Sequence, residues 1–150
     1  ICIIASGKVV TGFDMITKLA LGADMCNSAR AMMMALGCIQ SQQCNANTCP
    51  TGVATSDRRL AKGLVVSEKK HRVASFHERT MDVFLELIGA MGLDNPSQLR
   101  PSLIMRRVAP DQVLSYDQIY HYLEPGSILD KTADVSYMTY WNKARSDSFI

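Results

Sequence analysis

The chain opens with ICIIASGKVVTGFDMITKLALGADMCNSARAMMMAL, residues 1–36, and this stretch decides the fold. Residues 1–5 form a continuous apolar run of strand length, which is typical of a strand buried on both faces in a parallel sheet. The apolar residues that follow recur at helical spacing and predict a helix over residues 13–21, which Gly22 ends. The stretch therefore starts with a strand followed by a helix.

A second strand and a second helix follow directly. Residues 24–28 predict a short strand, and residues 29–36 predict a helix rich in Met and Ala that ends at Gly37. The order strand, helix, strand, helix with short connections predicts a parallel sheet with a right-handed crossover. Because two parallel strands leave both sheet edges unpaired, we expect the remaining strands to come from sequence outside these 150 residues or from another chain.

Composition excludes several classes of function. The net charge is +2 with acidic and basic residues interleaved, so nothing favours nucleic acid or a membrane surface as a partner. No apolar segment approaches the roughly 20 residues of a membrane span, and no secretory signal opens the sequence. The start at Ile1, without an initiator Met, predicts a piece of a longer protein. Five cysteines without an even framework favour a reducing compartment, and we expect a cytoplasmic protein.

Three of the five cysteines lie within residues 37–52, which read GCIQSQQCNANTCPTG. Cys38, Cys44 and Cys49 have the spacing C-x5-C-x4-C among small and polar residues. Three thiols on one flexible loop can converge on an iron–sulfur cluster, or on a zinc ion whose fourth ligand is a downstream histidine. A loop of free thiols without metal is the third interpretation, whereas a disulfide would leave one thiol over.

Two turns combine a small residue with a cation at the end of a predicted strand. Ser6, Gly7 and Lys8 end the first strand, and Ser28, Ala29 and Arg30 connect the second strand to its helix. Backbone N–H groups at a helix N-terminus bind anions, and the helix dipole adds to this attraction. The last two βα loops of a (β/α)8 barrel hold a phosphate in this way. The pair of turns predicts a phosphate site, with ordinary exposed turns as the alternative.

The sequence after the cysteine loop has a helical pattern. Residues 57–63 predict a short helix or turn, and residues 68–91 predict a long helix with one apolar face. We expect that face to contact the core rather than a cofactor. It consists of Val73, Phe76, Val83, Phe84, Leu87, Ile88 and Met91.

The C-terminal third carries weaker signals. Ser115 with Gln118 predicts a capping box for a helix over residues 116–123. Residues 129–150 are polar and predict either a tail that wraps the body or a disordered end. The chain thus divides into a βαβα unit (1–36), a cysteine loop (37–56), a helical extension (57–93) and a C-terminal extension of unknown role (94–150).

Three runs of the sequence resemble one family: ASGKVVTGFD at 5–14, ALGAD at 20–24, and the cysteine loop with the PTGVAT that follows it, 37–55. Together they are similar to the end of the FMN-binding domain of glutamate synthases, and in particular to stand-alone glutamate-synthase-like FMN proteins. The combination of a Ser-Gly-Lys strand end with C-x5-C-x4-C and P-x-G-V-A is specific. The resemblance is close over residues 1–56 and looser through Met91, and it does not anchor residues 94–150.

The resemblance implies a TIM (β/α)8 barrel of the α/β class, with residues 1–36 as its last two βα units. FMN phosphate would rest on the two turns, at Ser6, Gly7, Lys8, Ser28, Ala29 and Arg30. A [3Fe–4S] cluster beside the flavin would be held by Cys38, Cys44 and Cys49. No catalytic residue is implied, because the residues that bind 2-oxoglutarate would lie on earlier strands of the barrel.

The implied activity is that of an oxidoreductase that forms glutamate from 2-oxoglutarate and ammonia or glutamine, with a hydride from reduced FMN. The implied partners are the rest of the parent barrel and an electron donor, either a ferredoxin or an NAD(P)H-linked reductase. A homo-oligomer is a further expectation. We expect these 150 residues alone to be inactive, since most of the barrel wall is missing. The alternative is a zinc-stabilised Cys3His interaction module without redox activity, with His71 or His77 as the fourth ligand.

Overall fold

Short strands and helices alternate at the start of the chain. The computed structural model describes residues 1–148 and shows a mixed α/β fold. Its first elements are β1 (Ile4–Ala5), α1 (Gly12–Ala20), β2 (Met25–Cys26) and α2 (Arg30–Leu36). The two strands pair in parallel, with Ile4 opposite Met25 and Ala5 opposite Cys26. The predicted order of elements and the parallel pairing are confirmed, although both strands are shorter than predicted.

The small sheet is uncovered on one side. Ile3 and Ile4 expose 55% and 59% of their surface, and Met25 exposes 50%. The prediction that the first strand is buried on both faces is therefore wrong for this chain by itself. The physical reason is that two strands with helices on one side leave the other face, and both sheet edges, without a covering element.

A long helix covers the βαβα unit from the other side. After the cysteine loop come α3 (Arg58–Ala61) and α4 (Val66–Ala90), and α4 packs against both α1 and α2. The apolar face predicted for this helix is largely confirmed, with Phe84 and Ile88 buried, but Val83 is 44% exposed. The central core consists of Ile16, Ala20, Phe84, Ile88, Leu99 and Ile104.

The longest helix is amphipathic. α4 has 25 residues, but charged side chains recur along its outer face. Among residues 1–148, no helix is both long enough and apolar enough to cross a bilayer.

Helices α1 and α4 approach each other at backbone distance. A methyl group built on Gly12 would lie 2.7 Å from the backbone nitrogen of Phe84 and 2.9 Å from its Cα atom. Gly12 is the first residue of α1 and is itself buried. A side chain at this position would therefore separate the two helices, and the close contact requires glycine.

A capping box starts α1 directly after the first predicted phosphate turn. The hydroxyl of Thr11 accepts a hydrogen bond from the N–H of Asp14 at 3.2 Å, and the carboxylate of Asp14 accepts one from the N–H of Thr11 at 2.8 Å. The same carboxylate accepts the N–H of Val10 at 3.1 Å. Burial alone would raise the pKa of Asp14, but the hydrogen bonds from Thr11 and Val10, together with the charge of Lys18, lower it overall.

The C-terminal region contains an antiparallel hairpin that the sequence analysis missed. Its strands pair Arg106 with Leu114 and Arg107 with Val113. The signal in the sequence was a Pro-Asp turn between two short runs that contain Val108 and Val113. The elements of this region are the 3₁₀ turns Pro96–Gln98 and Pro101–Leu103, β3 (Met105–Ala109), β4 (Gln112–Ser115), α5 (Tyr116–Ile119) and α6 (Val135–Lys143).

Two predictions for this region had different outcomes. The capping box of Ser115 and Gln118 is confirmed, but its helix ends at Ile119 and not at residue 123. Val135–Lys143 form a helix capped by Asp134, so the alternative of a disordered end is wrong over these residues, and the alternative of a tail that wraps the body stays a prediction. The last two residues of that predicted tail, 149–150, lie outside the described residues.

The contact at Gly12 predicts opposite effects for two alanine substitutions. We expect Gly12→Ala to lower the free energy of unfolding by about 1–3 kcal/mol, the usual cost of overpacking. Gly89→Ala is the matched control, because Gly89 lies within α4 and its new methyl would meet no atom within 4 Å. The control should raise the free energy of unfolding by up to ~1 kcal/mol through helix propensity. Urea titration measures both, and equal effects would contradict the backbone contact.

The capping box predicts a pH-dependent contribution from Asp14. Asp14→Ala should lower the free energy of unfolding by about 1 kcal/mol at pH 7, as loss of a helix cap does. The pKa of Asp14 is lower in the folded chain, so its contribution is present above the unfolded pKa and is lost as pH falls through the folded pKa. The difference between wild type and variant should therefore shrink below about pH 4. Urea titrations at pH 7 and pH 3 measure it; a constant difference would show that the charge is not involved.

Candidate functional site

The structure brings the two predicted phosphate turns together. The N–H of Asn27, at the end of β2, donates to the carbonyl of Ala5 at 2.8 Å. The hydroxyl of Ser28 donates to the carbonyl of Val9 at 2.6 Å, which ties the second turn to the connection that follows β1. The hydroxyl of Ser6 lies 3.5 Å from the carbonyl of Asn27. The ends of both parallel strands therefore form one continuous surface.

The backbone of the first turn has an unusual conformation. Gly7 has φ +89° and Lys8 has φ +55°, so two successive residues lie in the left-handed region. Glycine adopts this region without cost, whereas Lys8 adopts it against its intrinsic preference. Such residues cluster at binding sites, where backbone groups have to point at a ligand.

The second turn leads into α2. Ala29 precedes the helix and supplies no side-chain hydrogen bond to its first N–H groups. Arg30 begins the helix and is exposed, as Lys8 is in the first turn. Both predicted phosphate turns thus present exposed cations beside backbone donors, an arrangement that suits an anionic group of phosphate size.

The structure does not bring the three loop cysteines together. Cys38 is half-buried, Cys44 is exposed, and Cys49 exposes only 4% of its surface. All three are free thiols. Across residues 1–148, no three His, Cys, Asp or Glu side chains lie close enough to hold a metal ion.

The chemistry of the loop nevertheless suits a thiolate ligand. The hydroxyl of Thr51, 3.4 Å from the Cys49 sulfur, is the main cause that lowers the pKa of Cys49 from 9.0 to about 7. The N–H groups of Ala54, Thr51 and Val53 lower it further, while burial acts in the opposite direction. At Cys38, the N–H of Gln40 donates to the sulfur at 3.4 Å. At Cys49, the donors aimed at the sulfur stabilise the thiolate, which is the form that binds metal.

Asn47 holds the loop in shape, and the sequence analysis did not single it out. Its side-chain oxygen accepts the N–H of Ser56 at 2.7 Å and the hydroxyl of Thr55 at 3.2 Å. Its own carbonyl accepts the Thr55 hydroxyl at 2.7 Å, and its φ is +60°. The available signal was an Asn between two cysteines, since Asn tolerates the left-handed conformation and bonds to nearby backbone.

The end of the loop packs tightly on α3. A methyl group on Gly52, whose φ is +76°, would overlap the carbonyl oxygen of Leu60 and lie 3.2 Å from the Cα atom of Ala61. On the opposite side of this contact, a methyl on Gly63 would lie 2.9 Å from the carbonyl oxygen of Thr51. The two glycines therefore allow the loop and the α3 turn to touch through their backbones.

Two of the three histidines lie on the surface of a helix. His71 and His77, the predicted alternative zinc ligands, are exposed on α4. His121 lies near Tyr137, with ring centroids 6.4 Å apart. Within the described part of the chain, none of them forms part of a group that could hold a metal ion.

Comparison with known proteins identifies the family. The family model described as the conserved region in glutamate synthase matches residues 1–94. This match covers well over half of the 150 residues, so the chain belongs to the glutamate synthase family.

The chain is similar to much longer relatives. It is 39% identical over 119 residues to the glutamate synthase large subunit-like protein YerD of Bacillus subtilis. That alignment covers 79% of this chain and 23% of the relative. It is 36% identical over 100 residues to an archaeal glutamate synthase [NADPH] of Methanocaldococcus jannaschii, 67% of this chain and 20% of the relative. The chain thus spans about a fifth to a quarter of these curated relatives.

The Bacillus relative extends the similarity into the C-terminal region. Because that alignment covers 119 of 150 residues, it necessarily includes the hairpin of β3 and β4. The similarity thus reaches past residue 94, where the resemblance read from the sequence alone stopped.

The close packing at Gly52 predicts that a methyl group there loosens the loop. Gly52→Ala should raise the rate at which the reduced, metal-free protein is alkylated at Cys49, because the loop has to move away from α3. Gly22→Ala is the matched control, since its φ is also positive, at +108°, but its methyl would meet no atom within 4 Å. Peptide mapping by mass spectrometry after timed iodoacetamide treatment measures the rate. If both variants label Cys49 equally fast, the packing of Gly52 against α3 does not protect Cys49.

Proposed function

We propose that this chain is the C-terminal part of the FMN-binding barrel of a glutamate-synthase-like oxidoreductase. The observation that carries this proposal is the adjacency of the two predicted phosphate turns, with the cysteine loop following at the end of α2. Family membership supports it independently. In this proposal, residues 1–36 are the last two βα units, 37–56 the cluster loop, 57–93 a helical extension and 94–150 a C-terminal extension.

The phosphate of FMN is proposed to bind at the two turns. Ser6, Gly7 and Lys8 would contact it from the end of β1. Ser28, Ala29 and Arg30 would contact it from the start of α2. The hydrogen bond from Ser28 to Val9 and the left-handed backbone at Gly7 support this assignment, because they hold both turns at one edge of the sheet.

The three loop cysteines are proposed to hold a [3Fe–4S] cluster. The lowered pKa of Cys49, caused mainly by its hydrogen bond with the Thr51 hydroxyl, favours the thiolate form needed for iron at that position. Cys44 lies on an exposed turn, and the proposal requires it to move toward the other two. Gln40 and Gln42, both with positive φ between the first two cysteines, mark where the loop backbone would adjust.

The whole protein is proposed to form glutamate from 2-oxoglutarate and ammonia or glutamine. The flavin would supply the hydride and the cluster would carry single electrons. The name of the archaeal relative points to NADPH as a reductant of that protein; for this chain, an NAD(P)H-linked reductase or a ferredoxin is proposed. A cytoplasmic location is proposed because the cysteines are free thiols, which persist in a reducing compartment.

The remaining barrel strands are the proposed partner of the uncovered sheet. Ile4 on β1 and Met25 on β2 are exposed, and so is Ile3, which directly precedes β1. A barrel would continue at this sheet. Their apolar side chains would be buried by neighbouring strands and helices. A homo-oligomer of the complete protein remains part of the proposal.

The competing proposal is a zinc-stabilised Cys3His module without redox activity. It would need His71 or His77 close to the loop cysteines. Both histidines are exposed on α4, and no such group of ligands forms within residues 1–148. No separate observation favours zinc, so the redox proposal is preferred.

Cys44→Ser tests the cluster assignment in the complete protein. We expect the variant to lose its iron and acid-labile sulfide while it keeps stoichiometric FMN, because the cluster loop and the phosphate turns are separate elements. Iron, sulfide and flavin analysis of anaerobically purified protein measures this. Cys2→Ser is the control: Cys2 is exposed and lies outside the loop, so this variant should keep both cofactors.

Three results would count against the proposal. Stoichiometric zinc would favour the interaction module. Wild-type protein without iron and flavin would remove the redox function. Loss of FMN together with the cluster in Cys44→Ser would show that the loop is needed to fold the flavin site.

A further inference from the structure

The first phosphate turn is followed by a short connection that is held from two sides. Gly7 and Lys8 both have positive φ, at +89° and +55°, and residues 9–11 connect them to α1. A lysine keeps this conformation only where the surrounding structure fixes the backbone next to it. The groups that hold the connection therefore decide whether the first turn keeps its shape.

Ser28 holds the first residue of the connection. Val9 is buried, with 5% of its surface exposed, and its carbonyl accepts the hydroxyl of Ser28 at 2.6 Å. A serine hydroxyl has one hydrogen to donate, and here it is used within the protein. At Ser28 the backbone N–H, and not the hydroxyl, is therefore the donor for an anion.

Asp14 holds the other two residues of the connection. One oxygen of its carboxylate, Oδ2, accepts the N–H of Val10 at 3.1 Å, the N–H of Thr11 at 2.8 Å and the Thr11 hydroxyl at 2.9 Å. The bonds to Thr11 belong to the capping box of α1, whereas the bond to Val10 lies outside it. The carboxylate therefore does more than begin the helix, because it also fixes the chain that leads into it.

The N–H groups of the turn itself are used differently. Across residues 1–148, the N–H groups of Gly7 and Lys8 donate to no protein group, and both residues are exposed. Successive backbone N–H groups in a turn form concave surfaces that bind anions. Because Asp14 occupies the N–H groups of Val10 and Thr11, the groups of the turn are the ones left for a ligand.

We propose that Asp14 is a positioning residue of the phosphate site. It occupies the N–H groups of Val10 and Thr11 and thereby holds the preceding turn in the shape that offers the N–H groups of Gly7 and Lys8 to a phosphate. It acts through the backbone and does not touch the phosphate. Its own charge is offset by its three donors and by the positive end of the α1 dipole. The identity of the ligand, FMN, rests on the proposed function, whereas the effect on the turn is a property of this chain.

Two flavins that differ only in the phosphate test the proposal in the complete protein. The dissociation constant of riboflavin divided by that of FMN reports what the phosphate contributes, and flavin fluorescence on flavin-free protein measures both. We expect Asp14→Ala to lower this ratio roughly five- to tenfold, the effect of about one lost hydrogen bond. Asp14→Glu should restore most of it, because glutamate is common at this position of a capping box. Should Asp14→Ala fail to fold, Asp14→Asn should lower the ratio in the same direction by less.

Two control variants separate positioning from helix capping. Thr11→Ala removes the capping hydroxyl but leaves the N–H groups of residues 10 and 11 on Asp14, and Asp134→Ala removes the cap of α6. We expect both to lower the free energy of unfolding and to keep the wild-type flavin ratio. If Thr11→Ala lowers the ratio as much as Asp14→Ala does, Asp14 acts only by capping α1 and the proposal is overturned.

The flavin-free protein gives a second measurement that does not depend on the proposed function. The lysine-specific endoprotease Lys-C should cut after Lys8 faster in Asp14→Ala than in Thr11→Ala, with cleavage after Lys131, in another exposed turn, as the internal reference. Equal rates after Lys8 in the two variants would show that Asp14 does not hold the turn. If the complete protein binds no flavin, the proposed function fails, but the cleavage after Lys8 still decides whether Asp14 fixes the turn.

Discussion

The contact between α1 and α4 is the constraint on which the rest of the structure depends. The two backbones touch at Gly12 and Phe84, and the buried side chains of the core come mainly from these helices. Because α4 also packs against α2, it fixes both helices of the βαβα unit at once. Leu99 and Ile104 join the same core, so the C-terminal extension is attached to this one contact surface.

The cysteine loop is held at its two ends and is irregular between them. Gly37 places its start beside α4, and Gly52 places its end against α3. Asn47 supports the middle through hydrogen bonds to Thr55 and Ser56. Backbone contacts at the two ends and hydrogen bonds in the middle, rather than a packed core, therefore determine the path of the loop.

Much of the candidate site could be predicted from local sequence. The strand and helix order followed from apolar periodicity, and the adjacency of Ser6 and Ser28 followed from the rule that parallel strands end at the same edge of a sheet. The role of Asn47 could not be predicted, because it depends on where residues 55–56 return in space. The position of Lys69 and Arg72 beside Gly37 was hidden for the same reason: in sequence they belong to the charged side of a helix, more than thirty residues after Gly37.

The sequence by itself determined the βαβα order, the ends of its helices, the spacing of the loop cysteines and the family resemblance. These depend on residues close together along the chain, where periodicity, capping and turn chemistry act directly. Only the tertiary structure decided that Val83 is exposed, that residues 105–115 form a hairpin, that Val135–Lys143 form a helix, and that two cations of α4 lie beside Gly37. Those features depend on which surfaces come into contact once α4 has packed on α1 and α2. Contacts between segments far apart in the chain cannot be predicted from local sequence.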